Sequence, residues 1–519
     1  MQRTIALMST LVSSTSRVLN SSLASRVMSA DEAAALIQFN TRIGMSGFTG
    51  AGYPKAVPMA LARRISDANL RGHKSQVSIF TGASTGPELD GALAMAGGIQ
   101  LRLPYQSDPE TRKRINSGEM EYMDIHLGHV AQYVEYGFLG KMDWALVEVT
   151  AVLEDGRLVP SSSLGNNRTW IDQAEKVILE VNAWQPAELE GMHDIYYGLQ
   201  NPPNRQPIPL THTGQRIGTP YLHVDPEKVA AIVLTDSPDR NSAFKAPDEA
   251  SRRIAGHILD FLGWEVKKGR IPASLLPLQS GVGNIANAVL FGLQEGPFEN
   301  MTSYTEVIQD GMIELLRSGK LTCASATAFS LSPNMLAQVN AEMANFRDRI
   351  VLRPQEISNH SEIIRRLGVI GMNGMIEADI YGNVNSTHVM GSRIQNGIGG
   401  SGDFARNGYL AIFMAPSIAQ KGAISTIVPM VSHVDHTEHD VDVIVTEQGL
   451  ADLRGLSPTQ RAKLIIDNCS HPDYRPALRD YEERAARLSF GKHTPHLLHE
   501  SLGWHDRYVR TGRMLAHDE

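Results

Sequence analysis

The chain has 519 residues, of which 42% are hydrophobic and 20% charged, and its formal net charge is −8 at pH 7. This length exceeds what one hydrophobic core supports and predicts two or more domains, while the acidic balance argues against a nucleic-acid-binding protein. Two cysteines, Cys323 and Cys469, are too few for a disulfide framework, and no run of 18 or more apolar residues predicts a membrane span.

The first thirty residues contain Arg3, Arg17 and Arg26, many serines, and no acidic residue before Asp31. This composition is typical of a mitochondrial transit peptide, and a basic N-terminal helix on a bacterial enzyme has the same composition. We treat residues 1–27 as an N-terminal extension. We expect a cytoplasmic protein, with a mitochondrial protein as the alternative.

Short β-branched runs alternate with helical patterns along the chain. In the segment SRRIAGHILDFLG, for example, Ile254, Ile258 and Leu262 recur at helical spacing. Several strand candidates are continuously apolar, which is typical of parallel strands covered on both faces, so the pattern predicts an α/β protein with parallel sheets. The predicted strands are 77–82, 144–149, 176–182, 230–236, 349–354, 425–431 and 442–449.

A proline-rich connection, LQNPPNRQPIPLTHTG, interrupts this alternation at residues 199–214. Four prolines within eight positions favour extended chain, so we place a domain boundary there. The prediction is an N-terminal α/β domain at 28–215 and a C-terminal α/β domain at 216–519.

Three glycine-rich segments lie at 46–55, 81–91 and 396–404, and the last contains the pattern G-x-G-x-x-G. In a Rossmann fold this pattern marks a dinucleotide site, so an NAD-dependent oxidoreductase is one hypothesis. No clean strand precedes the pattern, however, and no acidic residue follows about 20 residues later. Glycines of this kind also expose backbone N–H groups that can form an oxyanion hole.

Two further features could carry chemistry: a histidine-rich segment that could bind a metal, and a serine that could act as a nucleophile. The segment SHVDHTEHDVD, at 432–442, is rich in His and carboxylates but has no H-E-x-x-H spacing, so we predict a mixed-charge loop and no metal site. Ser401, in GGSGD, lacks the G-x-S-x-G context of a serine nucleophile.

Glu306 is the one glutamate of the segment SYTEVIQDGM. One interpretation is an acidic residue in the first turn of a helix. The other is a nucleophile, because a glutamate is ionised at neutral pH and needs no base to attack a carbonyl. It becomes effective when it is desolvated, held within about 3–3.5 Å of an activated acyl group and served by an oxyanion hole.

Seven longer motifs occur in a fixed order between residues 46 and 458: SGFTGAGYPKAVP, TGASTGP, LPLQSGVGNIANAV, YTEVIQDG, LRPQEISN, NGIGGSGDF and TEQGLADLRGLSP. Together they resemble the acetyl-CoA hydrolase/transferase family of class I CoA-transferases over the whole chain after about residue 27. The resemblance implies two related open Rossmann-like α/β domains with the active site between them, assembled as a homodimer.

The resemblance also implies a mechanism. Glu306 attacks an acyl-CoA to form an acyl-glutamyl anhydride, and the CoA thiolate then converts it to a glutamyl-CoA thioester. The oxyanion donors are the side-chain amide of Asn359 and the backbone N–H of Gly400, and Glu447 belongs to an auxiliary shell. Coenzyme A is a co-substrate, and no metal or tightly bound cofactor is required.

Contacts with CoA are carried over from the family in the same way. The family often has a lysine where this chain has Gln420 followed by Lys421, which leaves the phosphate contact open. The glycine loops at 46–55 and 81–91 are expected to line the acyl pocket. The implied CoA-binding residues are Leu278, Gln279, Ser280, Gly281, Val282, Ile376, Gly400, Phe404, Gln420 and Lys421.

The implied reaction is succinyl-CoA + acetate ⇌ succinate + acetyl-CoA, with propionate as a further candidate substrate and with no nucleic-acid or membrane partner. A propionyl-CoA:succinate CoA-transferase and an acetyl-CoA hydrolase remain alternatives, because one or two methylenes are worth only about 1–3 kcal/mol in a pocket. An NAD-dependent oxidoreductase and a CoA-sensing module are more distant alternatives.

Overall fold

A computed structural model describes residues 17–241 and 246–515. Its internal contacts divide the chain into two compact units. The first unit comprises Met1–Ala243, Tyr304–Asp310 and Cys323–Ile363, and the second comprises Phe244–Ser303, Gly311–Thr322 and Ile364–Glu519. Among the described residues, no helix is both long enough and apolar enough to cross a membrane.

The first unit is built on one sheet of eight strands, in the order β4-β3-β2-β1-β5-β7-β8, with β6 antiparallel to β5. The pairs along this order are parallel. The strands are β1 (Arg42–Met45), β2 (Val77–Phe80), β3 (Ile99–Leu103), β4 (Glu121–Tyr122), β5 (Met142–Val152), β6 (Leu158–Pro160), β7 (Ala174–Asn182) and β8 (Val229–Thr235).

Helices cover both faces of this sheet. Ile178 of β7 belongs to the core under helices Ala30–Leu36 and Ala56–Leu70, whereas Val177 and Leu179 belong to the core on the opposite face. Side chains on both faces of β7 are therefore buried, which explains why Val177, Ile178 and Leu179 are apolar in succession. The remaining helices of this unit, apart from 3₁₀ and π turns, are Ser21–Ala24, Ala92–Met95, Pro109–Asn116, Val130–Glu135, Asn167–Gln173, Pro333–Ala341 and Gln355–Ser358.

The later strands are β9 (Leu278–Ser280), β10 (Met301–Tyr304), β11 (Val307–Ile308), β12 (Leu321–Ala326), β13 (Ala328–Phe329), β14 (Ile350–Leu352), β15 (Ile370–Gly374), β16 (Glu377–Asp379), β17 (Val384–Asn385), β18 (His388–Val389), β19 (Arg393–Ile394), β20 (Leu410–Met414), β21 (Ile418–Ala419), β22 (Ile424–Ser425), β23 (Ile427–Val428), β24 (Val443–Thr446) and β25 (Gly449–Asp452). In the second unit the order is β10-β9-β15-β20-β24-β25, parallel except for the antiparallel pair β24 and β25.

Helix Glu249–Lys267 of the second unit begins at Asp248, whose side chain accepts a hydrogen bond from the Ser251 N–H. It contains the predicted helical segment and contacts β24. The other helices that lie wholly or mainly in this unit are Asn284–Glu295, Asp310–Arg317, Ser361–Leu367, Ser401–Asn407, Pro458–Cys469, Arg475–Leu488 and Gly503–Thr511.

The predicted α/β class with parallel sheets is confirmed. The predicted strand at 425–431 is wrong, because the chain there forms only the two-residue strands β22 and β23, separated by Thr426. The predicted domain ranges stay a prediction, although β8, which follows residue 215, pairs with β7 in the first sheet.

Candidate active site

Glu306 lies at a bend between β10 and β11 in the first unit. Helix Asp310–Arg317 begins four residues later, and Asp310 is the acidic residue of its first turn. The interpretation of Glu306 as a helix-start charge is therefore wrong. Asp310 takes that role, and its carboxylate also accepts hydrogen bonds from the Ser332 N–H at 2.8 Å and the Ser332 hydroxyl at 2.5 Å.

The backbone around Glu306 is fixed from both sides. The Glu306 carbonyl accepts hydrogen bonds from the N–H groups of Thr327 at 2.8 Å and Ala328 at 3.3 Å, and the Thr305 N–H donates to the Ser325 carbonyl at 2.9 Å. Strand β11 then pairs with β13, which places Val307 opposite Ala328. The carboxylate is thus carried by a bend whose main chain has little freedom.

The Asn359 side chain contacts the Glu306 carboxylate directly. Asn359 follows helix Gln355–Ser358, is 1% exposed, and donates from Nδ2 to Glu306 Oε1 at 2.9 Å. Its own Oδ1 accepts from the Ser358 hydroxyl at 2.8 Å, which orients the amide. Of the two predicted oxyanion donors, the structure therefore places Asn359 beside the predicted nucleophile.

The electrostatic environment of Glu306 is unusual for a carboxylate. Burial raises the pKa of Glu306 to about 7, although the hydrogen bond from Asn359 acts in the opposite direction. Glu306 is nevertheless partly exposed, and it forms no ion pair within residues 17–241 and 246–515. A carboxylate that is accessible, weakly solvated and not neutralised by a cation is suited to nucleophilic attack.

Two glycine loops follow the carboxyl ends of β1 and β2. A Cβ at Gly82 would lie 2.8 Å from the Gly47 carbonyl oxygen and 3.1 Å from Gln355 Oε1, so the two loops approach each other at backbone distance. Phe48 and Ala83 from these loops pack in one cluster with Val307, next to Glu306. Their predicted role as walls of an acyl pocket stays a prediction, but their proximity to this segment supports it.

A buried ion cluster anchors the first of these loops. Lys55 Nζ lies 2.7 Å from Glu148 Oε2 and 3.1 Å from Asp239 Oδ1, and all three side chains are at most 3% exposed. Asp239 Oδ1 also accepts from the Gly52 N–H at 3.1 Å. Two ion pairs of Lys55 and one hydrogen bond of the Gly52 N–H therefore fix the C-terminal end of this loop to buried carboxylates.

Several of the predicted CoA-binding residues follow strands of the second unit at their carboxyl ends. Ser280 ends β9 and is followed by Gly281 and Val282, whereas Ile376 follows β15. Parallel strands end at the same edge of a sheet, and ligands of open α/β sheets bind outside that edge. The segments that follow β9 and β15 thus lie at the same edge of the second sheet, which one CoA molecule that contacts both would require.

Three of the predicted contact side chains serve the interior of this unit. Gln279 Nε2 donates to Asn373 Oδ1 at 3.0 Å, and Gln279 Oε1 accepts from the Met372 N–H at 3.0 Å. Leu278 and Phe404 are buried in the core. Any CoA contact of these three residues would come from their backbone, whereas Val282 is 57% exposed.

Gly400 lies at the turn that precedes helix Ser401–Asn407. Gly399 has a φ of +60°, a conformation that favours glycine, and both glycines are buried. The Gly400 N–H has no acceptor in the part of the chain that the structure describes. A buried, unpaired N–H of this kind is available to a ligand oxygen, as expected of an oxyanion donor.

Gln420 and Lys421 lie at an exposed hairpin tip between β21 and β22, with φ values of 50° and 57°. Both side chains extend from a turn and are accessible to an anionic group. The structure thus places both residues on the surface of the second unit.

Glu447 lies directly after β24 and is held by several donors. It accepts from the Ser417 N–H at 2.7 Å, from the Ser417 hydroxyl, and from Gln448 Nε2 at 2.9 Å. Burial alone would raise its pKa, but these hydrogen bonds outweigh burial and lower the pKa of Glu447. Sequence reasoning missed Ser417, because thirty residues separate it from its partner and no local pattern links them.

The loop at 432–442 contains no strand, as predicted. Asp435 accepts from the Ser386 N–H at 2.7 Å and the Thr387 hydroxyl at 2.9 Å. Among the described residues, no group of three His, Cys, Asp or Glu side chains could hold a metal ion. The G-x-G-x-x-G segment follows the antiparallel pair of β18 and β19 instead of a parallel strand, unlike a dinucleotide fingerprint.

Comparison with known proteins shows which proteins this chain is similar to. The chain is 52% identical to the succinyl-CoA:acetate CoA-transferase of Clostridium kluyveri, covering 96% of this chain and 92% of that protein. It is 48% identical to the propanoyl-CoA:succinate CoA transferase of Escherichia coli, covering 94% and 99%. It is 45% identical to the acetyl-CoA hydrolase of Schizosaccharomyces pombe, covering 96% and 98%.

Solved structures support the fold. RipA from Yersinia pestis matches with a TM-score of 0.69 and 23% identity, covering 88% of this chain and 97% of that one. The 4-hydroxybutyrate CoA-transferase from Porphyromonas gingivalis matches with a TM-score of 0.61 and 22% identity, covering 89% and 98%.

Family models account for most of the chain. Residues 13–234 match the acetyl-CoA hydrolase/transferase N-terminal domain, and residues 337–482 match the C-terminal domain of the same family. Both matches agree with the resemblance inferred from the seven motifs, and the chain belongs to the acetyl-CoA hydrolase/transferase family.

Proposed function

We propose that this chain is a CoA-transferase that moves CoA between an acyl-CoA and a small carboxylate, with succinyl-CoA and acetate as the first pair to test. The single observation that carries the proposal is the contact of Asn359 Nδ2 with Glu306 Oε1 at 2.9 Å. It joins an accessible carboxylate, which has no cationic partner among the described residues, to an amide donor suited to an oxyanion. The names of the relatives supply the substrate class.

The first half-reaction has two steps. A Glu306 oxygen attacks the thioester carbonyl, the C–S bond breaks, and CoA leaves as the thiolate while an acyl-glutamyl anhydride remains. The thiolate then attacks the glutamyl carbonyl of the anhydride, the C–O bond breaks, and the first acid leaves as its carboxylate. The product is a glutamyl-CoA thioester, and an acceptor carboxylate reverses both steps.

Each attack creates a tetrahedral oxyanion that needs hydrogen-bond donors. Asn359 Nδ2 and the Gly400 N–H are the donors in our proposal, and removing one such donor typically costs on the order of 100-fold in rate. Asn359 would exchange its contact with the free carboxylate for one with the oxyanion. The same donor would thus serve both the resting and the reacting states.

Glu447 is proposed to remain ionised throughout, since its hydrogen bonds lower its pKa. A fixed anion near the carboxyl end of β24 would order nearby donors and disfavour a second anion there. We therefore assign it to the auxiliary shell of the site and give it no covalent step.

Coenzyme A enters this scheme as a co-substrate, and the thioester bond energy is conserved in the glutamyl-CoA intermediate, so the steps call for no further group. We propose a cytoplasmic homodimer, with a mitochondrial location as the alternative suggested by residues 1–27. Acyl-CoA and small carboxylates are its proposed partners, and size-exclusion chromatography with light scattering tests the dimer.

Hydrolysis is the second candidate function, because relatives of similar identity are named acetyl-CoA hydrolases. Water would then attack the anhydride or the glutamyl thioester. Acyl-CoA loss should depend strongly on added carboxylate for a transferase and little for a hydrolase. The measurements are the loss of succinyl-CoA and the free thiol released, with and without acetate, because transfer consumes the donor without releasing thiol whereas hydrolysis releases one thiol for each acyl-CoA lost.

Mass spectrometry of the protein mixed with succinyl-CoA or acetyl-CoA tests the mechanism. We expect a CoA adduct on Glu306 that borohydride converts to a reduced residue at the same position. A Glu306→Ala variant should retain its circular dichroism spectrum and lose both adduct and exchange of labelled acid. Exchange at the wild-type rate in this variant would overturn the proposal.

A further inference from the structure

We propose that His436 is a positioning residue for this reaction, which fixes the turn at 398–401 through Ser401 and so aims the Gly400 N–H. This inference rests on the proposed function, since it gives the Gly400 N–H a role. His436 belongs to the histidine-rich loop at 432–442, for which the sequence predicts only a mixed-charge loop.

The position of the His436 ring is tightly constrained. His436 is 2% exposed, and its ring centroid lies 4.6 Å from that of Phe413 in β20. The His436 N–H donates to the Val384 carbonyl at 3.0 Å, and the Val384 N–H donates to the His436 carbonyl at 2.8 Å. Both ends of the residue are therefore held, and the ring has a defined direction.

The hydrogen bonds of Ser401 determine which atom donates. The Ser401 hydroxyl donates to the Ile398 carbonyl at 2.7 Å, and Ser401 Oγ lies 3.1 Å from His436 Nε2. A hydroxyl has one hydrogen, which the Ile398 carbonyl already receives, so His436 Nε2–H must donate to a lone pair of Ser401. Ser386 Oγ lies 3.4 Å from the same nitrogen and receives a weaker share.

The hydrogen bond from the Ser401 hydroxyl to the Ile398 carbonyl closes a tight turn that contains Gly399 and Gly400. The Ser401–Ile398 bond links the two ends of the turn, and Gly399 inside it has a φ of +60°. Glycine has unusual conformational freedom, so the direction of the Gly400 N–H depends on how the ends are held. A displacement of about 1 Å in a reacting group can cost on the order of 100-fold in rate.

Three variants isolate this role. His436→Phe keeps a ring beside Phe413 but removes the Nε2–H, and we expect kcat to fall about 10-fold or more with KM for acyl-CoA nearly unchanged. His436→Gln offers an amide N–H at a similar reach and should retain most of kcat. Ser401→Ala should fall as His436→Phe does, and combining the two changes should add little.

The readouts separate positioning from folding. They are kcat, KM, the rate of CoA-adduct formation on Glu306, the affinity for a non-reactive thioether analogue of acetyl-CoA, and the thermal midpoint. The inference requires a lower adduct rate with unchanged analogue affinity. If His436→Phe does not fold, Ser401→Ala together with His436→Gln carries the test.

Each outcome decides one question. Wild-type kcat in His436→Phe or Ser401→Ala would overturn the inference and leave the proposed function standing. Losses that add fully in the double variant, or that follow analogue affinity or the thermal midpoint, would also overturn it. Wild-type protein that forms no adduct and exchanges no label would overturn the proposed function itself, and the inference with it.

Discussion

Asn359 donates a hydrogen bond to Glu306 across 53 residues of chain, at 2.9 Å, and within one compact unit. The bond joins a bend between two strands to the end of a short helix, so it depends on the fold of the whole unit. It lowers the pKa of Glu306 against the larger effect of burial. The balance of these two effects sets the pH at which the carboxylate is a nucleophile.

The pH dependence of the reaction follows from this balance. Because burial raises the pKa of Glu306 to about 7, kcat/KM for acyl-CoA should be half-maximal near pH 7 and fall about tenfold per unit at lower pH. Steady-state rates between pH 5 and 9 measure this limb. A limb near pH 4.5, the ordinary glutamate value, would contradict the assignment.

Asn359→Ala tests the donor. The change should lower kcat by about 100-fold, because one oxyanion donor is lost, and should move the acidic limb to higher pH, because the bond that lowers the pKa of Glu306 is lost. Asn204→Ala is a matched control at an exposed position and should leave both values unchanged. A lower kcat with an unmoved limb would separate Asn359 from the titration of Glu306.

Glu306→Gln should increase stability at neutral and higher pH. A carboxyl whose pKa is raised on folding contributes stability that is fully present below its unfolded pKa of about 4.5 and is lost as pH rises through about 7. Glutamine keeps the acceptor for Asn359 and does not titrate. The difference in unfolding free energy should grow from near zero at pH 4.5 to as much as roughly 3 kcal/mol at pH 8.

Denaturant unfolding at both pH values measures this difference. The nucleophile would then be a residue that the fold tolerates at a cost in stability, as is common at functional sites. An equal difference at both pH values would show that titration is not its source.

Gly82→Ala should damage the first unit near Glu306. The new Cβ would lie 2.8 Å from the Gly47 carbonyl oxygen, a backbone atom that cannot move alone, so the two glycine loops must separate. We expect lower kcat and a lower thermal midpoint. Gly256→Ala in helix Glu249–Lys267 meets nothing within 4 Å and should stabilise by up to about 1 kcal/mol.

Lys55→Met should be strongly destabilising. It removes the cation between Glu148 and Asp239 and leaves two buried carboxylates, a change that typically costs about 3–5 kcal/mol. Lys141, which pairs with Glu175 at an exposed position, provides the control Lys141→Met with a much smaller change. Similar losses in both variants would argue against an energetic role for the buried cluster.

Local pattern identified β5, β7, β8 and β24, whose runs of Val, Ile and Leu give a clear signal, but it missed β20, although all five residues of its sequence LAIFM are apolar and buried. The prediction also omitted β1, whose four residues RIGM include a glycine that packs against Trp170, and β15, whose five residues IGMNG include two glycines and Asn373. Such strands are set by tertiary contacts and carry little propensity of their own.

Some residues of the candidate site could be predicted from the sequence, and others could be found only from the structure. The family resemblance predicted Glu306, Asn359 and Gly400, whereas local reasoning left Glu306 between a helix-start charge and a nucleophile because a helix begins only four residues later. The contacts of Ser417 with Glu447 and of His436 with Ser401 could not be predicted from local sequence patterns, because thirty residues or more separate the partners in the chain. Hydrogen bonds of that range become visible only in three dimensions.

The seven residues Tyr304–Asp310 belong to the first compact unit, yet the chain on either side of them belongs to the second. A gene fragment that stops after Ala243 would therefore encode the first sheet without the residue proposed to carry the chemistry. In this chain order, any contiguous piece that contains the complete first unit also contains both intervening segments of the second unit, Phe244–Ser303 and Gly311–Thr322. Because the first unit is assembled from three separate stretches of chain, exchanging one half of the gene with that of a relative would divide this unit.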